Sequence, residues 1–273
     1  MSTAVTRILS DLHYGDRGSR IRTLPSLAPL FEGAGSIVLN GDTLDTRPGP
    51  DPAGTAALRA EVLEFFTRAT PPTTLLTGNH DPDISPHGLL DLAGGQVFVT
   101  HGDILFDDLV PWSQDAPFAR RRLGEEFAVL PVTARDQLDT RLEVYRRVAA
   151  SIPQRHQSER NALKHAFGFL KDTVWPPDRT FRVLRAWRQG PRLAAALTQR
   201  HRPSARFAII GHIHHLGSWR RPNGVTVLNT GSFCPPFGGC VIDIAPGRLS
   251  LRRVVHRHGE FRLGATMAEF ALA

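Results

Sequence analysis

Five short clusters combine carboxylates, histidines and one amide at spacings suited to holding metal ions: Asp11-Leu12-His13, Gly41-Asp42-Thr43-Leu44-Asp45, Gly78-Asn79-His80-Asp81, His101-Gly102-Asp103 and Gly211-His212-Ile213-His214. Singly, none of these patterns carries weight, because each arises often by chance. Together, in this order and each following a β-forming run, they are specific. A hydrolytic pair of metal ions held about 4 Å apart needs one shared carboxylate and several nitrogen or oxygen ligands. In the D-x-H and H-x-H clusters the skipped residue is expected to set both polar side chains on one side of an extended segment, with Leu12 or Ile213 packing inward. Asn79 offers a hard amide oxygen. No cysteine stands among the candidates, which points to a catalytic pair rather than a structural zinc site.

The elements that must position these clusters are short. Residues 6–10, 36–40, 73–77, 96–100 and 205–210 are apolar runs of four to six β-formers, each stopping at a Gly, Asn, Asp or His cluster, and they read as buried strands. Between two of them, residues 53–68 carry Ala57, Leu58, Val62, Phe65 and Phe66 on one helical stripe. The Pro/Gly-rich stretch 46–54 reads as a loop. The alternation predicts an α/β fold, with the polar clusters gathered at the C-terminal ends of its strands.

From about residue 107 to 202 the pattern turns helical. Leu138, Leu142, Tyr145 and Val148 share a stripe, as do Leu163, Phe167, Leu170 and Val174, and then Leu184 and Trp187. We expect a core made of residues 1–106 and 203–273, interrupted by a helical, Arg-rich cap at 107–202. Residues 225–229, 239–244 and 249–255 should then form a closing β-meander. Phe167, Phe181 and Trp187 are expected to pack between cap helices. His87, His156, His165, His201, His256 and His258 are expected on the surface or in loops.

With 273 residues and 41% apolar content the chain can bury a substantial core. No stretch approaches the roughly 20 apolar residues that cross a bilayer, and the N-terminal apolar run is too short for a secretory signal. Two cysteines, Cys234 and Cys240, exclude a disulfide framework. A cytoplasmic location follows as the expectation. Residues 116–202 hold 18 Lys and Arg against 8 Asp and Glu, while the remainder holds 15 against 18. The net charge of +7 therefore resides in one segment, which favours anionic partners such as phosphates, acidic lipid head groups or nucleic acid.

On its five clusters the sequence resembles the calcineurin-like metallophosphoesterases, over residues 7–103 and 205–232. The resemblance implies a sandwich of two mixed sheets flanked by helices. It further implies that Asp11, His13 and His214 bind one metal, that Asn79, His101 and His212 bind the other, and that Asp42 bridges them. A hydroxide held between the metals would attack phosphorus in line with the leaving oxygen. His80 would protonate the leaving group or steady its charge, with Asp81 orienting the imidazole. Asp45 and Asp103 would support the ligands rather than bind metal. Manganese is the expected cation, with iron or zinc compatible with the same donors.

The stretches Thr100–Asp108 and Asn229–Phe233 are similar to the UDP-2,3-diacylglucosamine hydrolases of the lipid A pathway, which work at the membrane surface. A basic, apolar cap would suit such a lipid-linked substrate, with peripheral contact at the inner membrane face. That branch has arginine where this chain has His80, a histidine typical of general phosphomonoesterases and phosphodiesterases. A phosphodiester or pyrophosphate on a phosphorylated small molecule is therefore the leading expectation. A nuclease gripping a phosphate backbone with the basic segment and a non-catalytic scaffold are the alternatives.

Overall fold

A computed structural model describes residues 5–68, 70–154 and 177–272. The expected buried strands form with small shifts of boundary: β1 (Val5–Leu9), β2 (Ala34–Asn40), β3 (Thr73–Leu76), β5 (Val97–Thr100) and β6 (Phe207–Ile210). Three further strands, β4 (Leu89–Leu92), β7 (Gly217–Arg220) and β11 (Glu260–Ala271), gave no clear signal in the sequence. The remaining strands are β8 (Thr226–Asn229), β9 (Cys240–Ala245) and β10 (Arg248–Arg257).

They build two mixed sheets, ordered β11-β10-β9-β1-β2-β3 and β4-β5-β6-β8-β7. β1, β2 and β3 run parallel in the first, and β5, β6 and β8 run parallel in the second. The meander is thus β9-β10-β11. Residues 225–229 do not belong to it, because β8 pairs with β6 and β7 in the other sheet.

Alternation along the strands assigns the layers. Ile8, Val38, Leu76, Val97, Val99, Ile209 and Ile242 meet in one apolar cluster between the sheets. Their neighbours Leu9, Ile37 and Leu39 face the opposite way, towards Val62 and Phe66 of α2 (Pro52–Arg68) and Leu30 and Phe31 of α1 (Ala28–Phe31). Side chains buried on both faces explain why these strands read as unbroken apolar runs. Arg7 is the exception inside β1. It lies opposite Asp243 of β9 in register and donates to both carboxylate oxygens, at 2.6 and 3.0 Å. Such a two-pronged pair locks the position of β1.

The outer face of the second sheet is covered by described parts of the 107–202 segment. Phe98 of β5 packs with Leu123 of α3 (Ala116–Ala128) and Tyr145 and Val148 of α5 (Leu138–Ala150). A short α4 (Val132–Arg135) joins these two helices. Ala208 and Val227 pack with Ala186, Ala194 and Ala195 of α6 (Pro177–His201). The expected stripe at 138–148 therefore forms. Leu163, Phe167, Leu170 and Val174 lie outside the described residues, as do His156 and His165. Phe181 departs from the expectation of packing between helices, being 72% exposed. Among the described residues no helix is long and apolar enough to cross a membrane.

Candidate metal centre

Parallel order within each sheet puts the ends of β1, β2, β3, β5 and β6 along one edge of the sandwich, and all five clusters begin there. The backbone in these clusters is not extended. Asp11, His13, Asp42, His212 and His214 all have positive φ, between 46° and 65°. Side chains in D-x-H and H-x-H therefore converge through left-handed turns, not through the pleat of a strand. Non-glycine residues visit this region at a cost of about 1–3 kcal/mol each, and such strain gathers at functional sites. Leu12 and Ile213 between them are buried, as expected.

The side chains meet in two groups, and Asp42 of the second reaches His13 of the first. Asp11, His13 and His214 offer ligand atoms all within 4.8 Å of one another, and so do Asp42, His101 and His212. His214 Nε2 lies 3.1 Å from Asp11 Oδ1 and 3.2 Å from His13 Nε2. Asp42 Oδ2 stands between the groups, 3.8 Å from His13 Nε2 and 3.4 Å from His101 Nε2. Its other oxygen accepts the His80 backbone N–H at 2.9 Å.

Hydrogen bonds select which imidazole nitrogen is free. His101 Nδ1–H donates to the Asn40 carbonyl (2.8 Å), which leaves Nε2 as its lone-pair atom. His212 Nε2–H donates to the Leu109 carbonyl (2.9 Å), which leaves Nδ1. Second partners of this kind commonly fix the tautomer of a metal-binding histidine. Both amide atoms of Asn79 and His101 Nε2 are buried without a hydrogen-bond partner. Orphaned buried polar atoms are rare and call for an explanation. Cations accepting lone pairs from Asn79 Oδ1 and His101 Nε2 supply one, and the oxygen and nitrogen donor set suits divalent ions.

For His13 and His212 the electrostatics agree with that use. Burial pushes His13 down to about 4 and His212 down to about 3, so both are neutral ligands at pH 7. Burial also acts against charge on His101, but Asp42 outweighs it and raises its pKa well above the usual histidine range. Burial would raise Asp42, yet His101 and His80 hold it well below the carboxylate range.

One expectation is corrected. Asp81 does not orient His80. Its carboxylate accepts the backbone N–H groups of Asp42 (2.9 Å), Thr43 (2.7 Å) and Gly78 (2.8 Å), tying two cluster loops together. Burial, then the nearby Asp42 charge, lifts it to about 7. The carboxylate at His80 Nδ1 belongs to Asp45, at 3.1 Å. Asp45 is in turn held by Arg47 through two contacts of 3.0 and 2.7 Å, and Arg47 Nη2 lies 2.9 Å from the same His80 nitrogen. Nothing in the sequence marks Arg47 beyond its position two residues after Asp45. Asp103 is buried, and burial raises its carboxyl against the pull of His101.

Around the centre lie Trp112 and Phe237, which spacing along the chain did not flag, and Trp187, which was expected to pack between helices and instead meets the loop that carries His214. Trp112 packs against His212 with ring centroids 5.3 Å apart, and Phe237 packs against His214 at 5.8 Å. Trp187 is half-buried, donates from Nε1 to the Ile213 carbonyl (2.7 Å) and stacks on His215. His87, His256 and His258 are exposed and His201 is partly so. Cys234 and Cys240 are buried free thiols.

The sequence profile of the calcineurin-like phosphoesterases matches residues 6–216. Similar solved structures include vacuolar protein sorting 29 of Cryptosporidium parvum, at 14% identity and TM-score 0.44, with 98% of each chain covered. A dimetal phosphatase from Danio rerio is also similar, at 14% identity and TM-score 0.44 over 96% of this chain and 98% of that one. So is Vps29 of Entamoeba histolytica complexed with zinc, at 14% identity and TM-score 0.41 over 98% of each chain. No curated protein matches the chain.

Proposed function

Since this chain belongs to the calcineurin-like phosphoesterases, we propose that it hydrolyses a phosphoester, a phosphodiester or pyrophosphate in preference, with two divalent cations. The observation that carries this reading is the shared Asp42 set between two His-rich groups, beside a buried Asn79 and a His101 Nε2 that lack any other partner. Asp11, His13 and His214 would hold one cation and Asn79, His101 and His212 the other, with Asp42 common to both. Such cations supply Lewis-acid charge against the phosphoryl oxygens and a nucleophile at neutral pH. Manganese is the proposed metal, because every donor is oxygen or imidazole nitrogen; iron and zinc fit the same donors.

His80 holds the proton for the leaving oxygen in this reading. Burial and the Arg47 guanidinium lower its pKa, but Asp42 and Asp45 outweigh them and raise it, so the imidazolium is populated near neutrality. Asp45 fixes the ring from Nδ1, which turns Nε2 away from the Asp45–Arg47 pair. An acid of this kind contributes about 10²–10⁴-fold. The loss in His80→Asn is therefore expected to be large for an alkyl ester and much smaller for a p-nitrophenyl ester, whose leaving group needs no proton. Equal losses for the two esters would remove His80 from the acid role.

Metal removal tests the whole reading. Chelator-stripped protein is expected to have no activity on bis-p-nitrophenyl phosphate and to regain it with Mn²⁺. Asp42 favours the proton on His101 in the metal-free site, so metal binding competes with that proton. Calorimetry in buffers of different ionisation enthalpy should register proton release on metal binding, reduced in His101→Asn, and metal affinity should climb as pH rises. No turnover with Mn²⁺, Fe²⁺ or Zn²⁺ would favour a non-catalytic scaffold.

The UDP-2,3-diacylglucosamine hydrolase branch is a narrower version of the proposal. His80 in place of the arginine of that branch weighs against it, and hydrolysis of an acylated UDP-sugar is its direct test.

A further inference from the structure

Beyond the metal centre, a pocket of about 820 Å³ lies between α3, α6 and the segment that follows β5. Its α6 wall is a single helical stripe, Arg182, Arg185, Gln189 and Arg192, at spacings of three and four residues. Arg120 and Arg121 of α3 complete five arginines, against two lining carboxylates, Asp107 and Asp108. Three of the five are already engaged. Arg120 pairs with Asp108 at 2.8 Å, Arg121 reaches Glu125 at 3.8 Å, and Arg182 pairs with Asp178 one turn before it. Arg185 and Arg192 have no carboxylate, hydrogen-bond or ring partner among the described residues.

Two uncompensated guanidinium groups facing one concave volume repel each other, and an anion between them relieves that repulsion. Planar guanidinium forks match phosphate oxygens in pairs. The volume suits a small molecule, for which pockets run from about 300 to 1,000 Å³. It does not suit a polymer, which needs an open groove along its backbone. The floor is apolar, made of Leu105, Phe106 and Leu193 among others. Phe106 also packs against the His212 ring, with centroids 5.9 Å apart. One aromatic side chain therefore belongs both to the pocket and to the surroundings of a candidate metal ligand.

We propose that this pocket seats the phosphate of a small organic anion with an apolar or aromatic body, gripped by Arg185 and Arg192. The anion is either a second phosphate of the substrate, a version that rests on the phosphoesterase reading, or a separate phosphorylated molecule. The binding claim itself needs neither metal nor turnover.

The test uses the full chain, stripped of metal, with ADP as the probe in calorimetry. ADP is expected to bind, and the double variant Arg185→Ala with Arg192→Ala to weaken binding more than tenfold. Arg188→Ala, an exposed arginine of the same helix that does not line the pocket, is expected to leave binding unchanged. No ADP binding by the wild type, or an equal loss in Arg188→Ala, overturns the proposal. All three arginines are exposed, so thermal unfolding of the variants should match the wild type.

With Mn²⁺ restored, two esters separate the sources. For a substrate phosphate, the double variant raises KM for thymidine 3′-phosphate 5′-(p-nitrophenyl phosphate) more than tenfold relative to bis-p-nitrophenyl phosphate. For a separate anion, that ratio stays constant while ADP affinity still falls. If the protein hydrolyses neither ester, the ADP arm alone decides the pocket.

Discussion

Asp42→Asn is expected to lower kcat on bis-p-nitrophenyl phosphate by about 10³-fold or more and to cut bound Mn²⁺ from two ions per chain to one or none. Lewis-acid stabilisation by paired cations is worth several kcal/mol, and about 4 kcal/mol corresponds to 10³-fold. Asparagine has nearly the same shape and keeps an acceptor for the His80 backbone N–H, which Asp42 Oδ1 now receives at 2.9 Å. What it loses is the negative charge at Oδ2, the atom standing between His13 and His101. Metal content by atomic emission and kcat at saturating Mn²⁺ check the two halves of the prediction. Activity within tenfold of the wild type would show that Asp42 is not the shared ligand.

Gly78→Ala should damage stability and activity together. A Cβ there would stand 2.5 Å from the Asp42 backbone nitrogen and closer still to its Oδ1, so backbone must move. Overpacking of this kind costs typically 1–3 kcal/mol, and for a chain of this size about 3 kcal/mol lowers Tm by roughly 6–12 °C. Because the displaced group is Asp42, activity should fall as well, by about 10²-fold for a misplacement of about 1 Å. Gly124→Ala is the control. It sits exposed within α3 with nothing near its added Cβ, and alanine there should stabilise by up to about 1 kcal/mol. Calorimetric unfolding of both variants tests the contrast. A Gly78→Ala protein with unchanged Tm and metal content would mean that the two loops are not packed as described.

The same logic explains the glycines that precede three of the candidate ligands. A Cβ on Gly41 would meet the His101 ring at 2.6 Å, and one on Gly211 would collide with Ser10 and Asp11. Each glycine thus makes room for a ligand from a different cluster. Their presence was visible in the sequence as part of G-D, G-N and G-H pairs. Their purpose was not, because it lies in contacts between residues 36 to 201 positions apart.

His80 gives the clearest case of a partner that adjacency misidentified. Asp81 follows it directly, but backbone N–H groups in the loops at Asp42, Thr43 and Gly78 have no strand partner and need an acceptor. Asp81 satisfies them, and the imidazole is left to Asp45, which is 35 residues away in sequence. Similarly, Val227 and Leu228 read as part of a terminal meander by their order in the chain. Pairing with β6 placed them in the other sheet, where Leu228 packs beside Ile209 and Val227 faces α6.

The order and type of the candidate ligands, and their placement just after buried strands, followed from the sequence alone. Apolar runs that are covered on both faces have a local signature, and polar residues that interrupt them stand out. Left-handed backbone at five candidate ligands, the Asp45–Arg47 grip on His80 and the arginine stripe facing α3 were decided only when the chain folded. Each depends on which distant segment arrives alongside, and spacing along a chain carries no record of that.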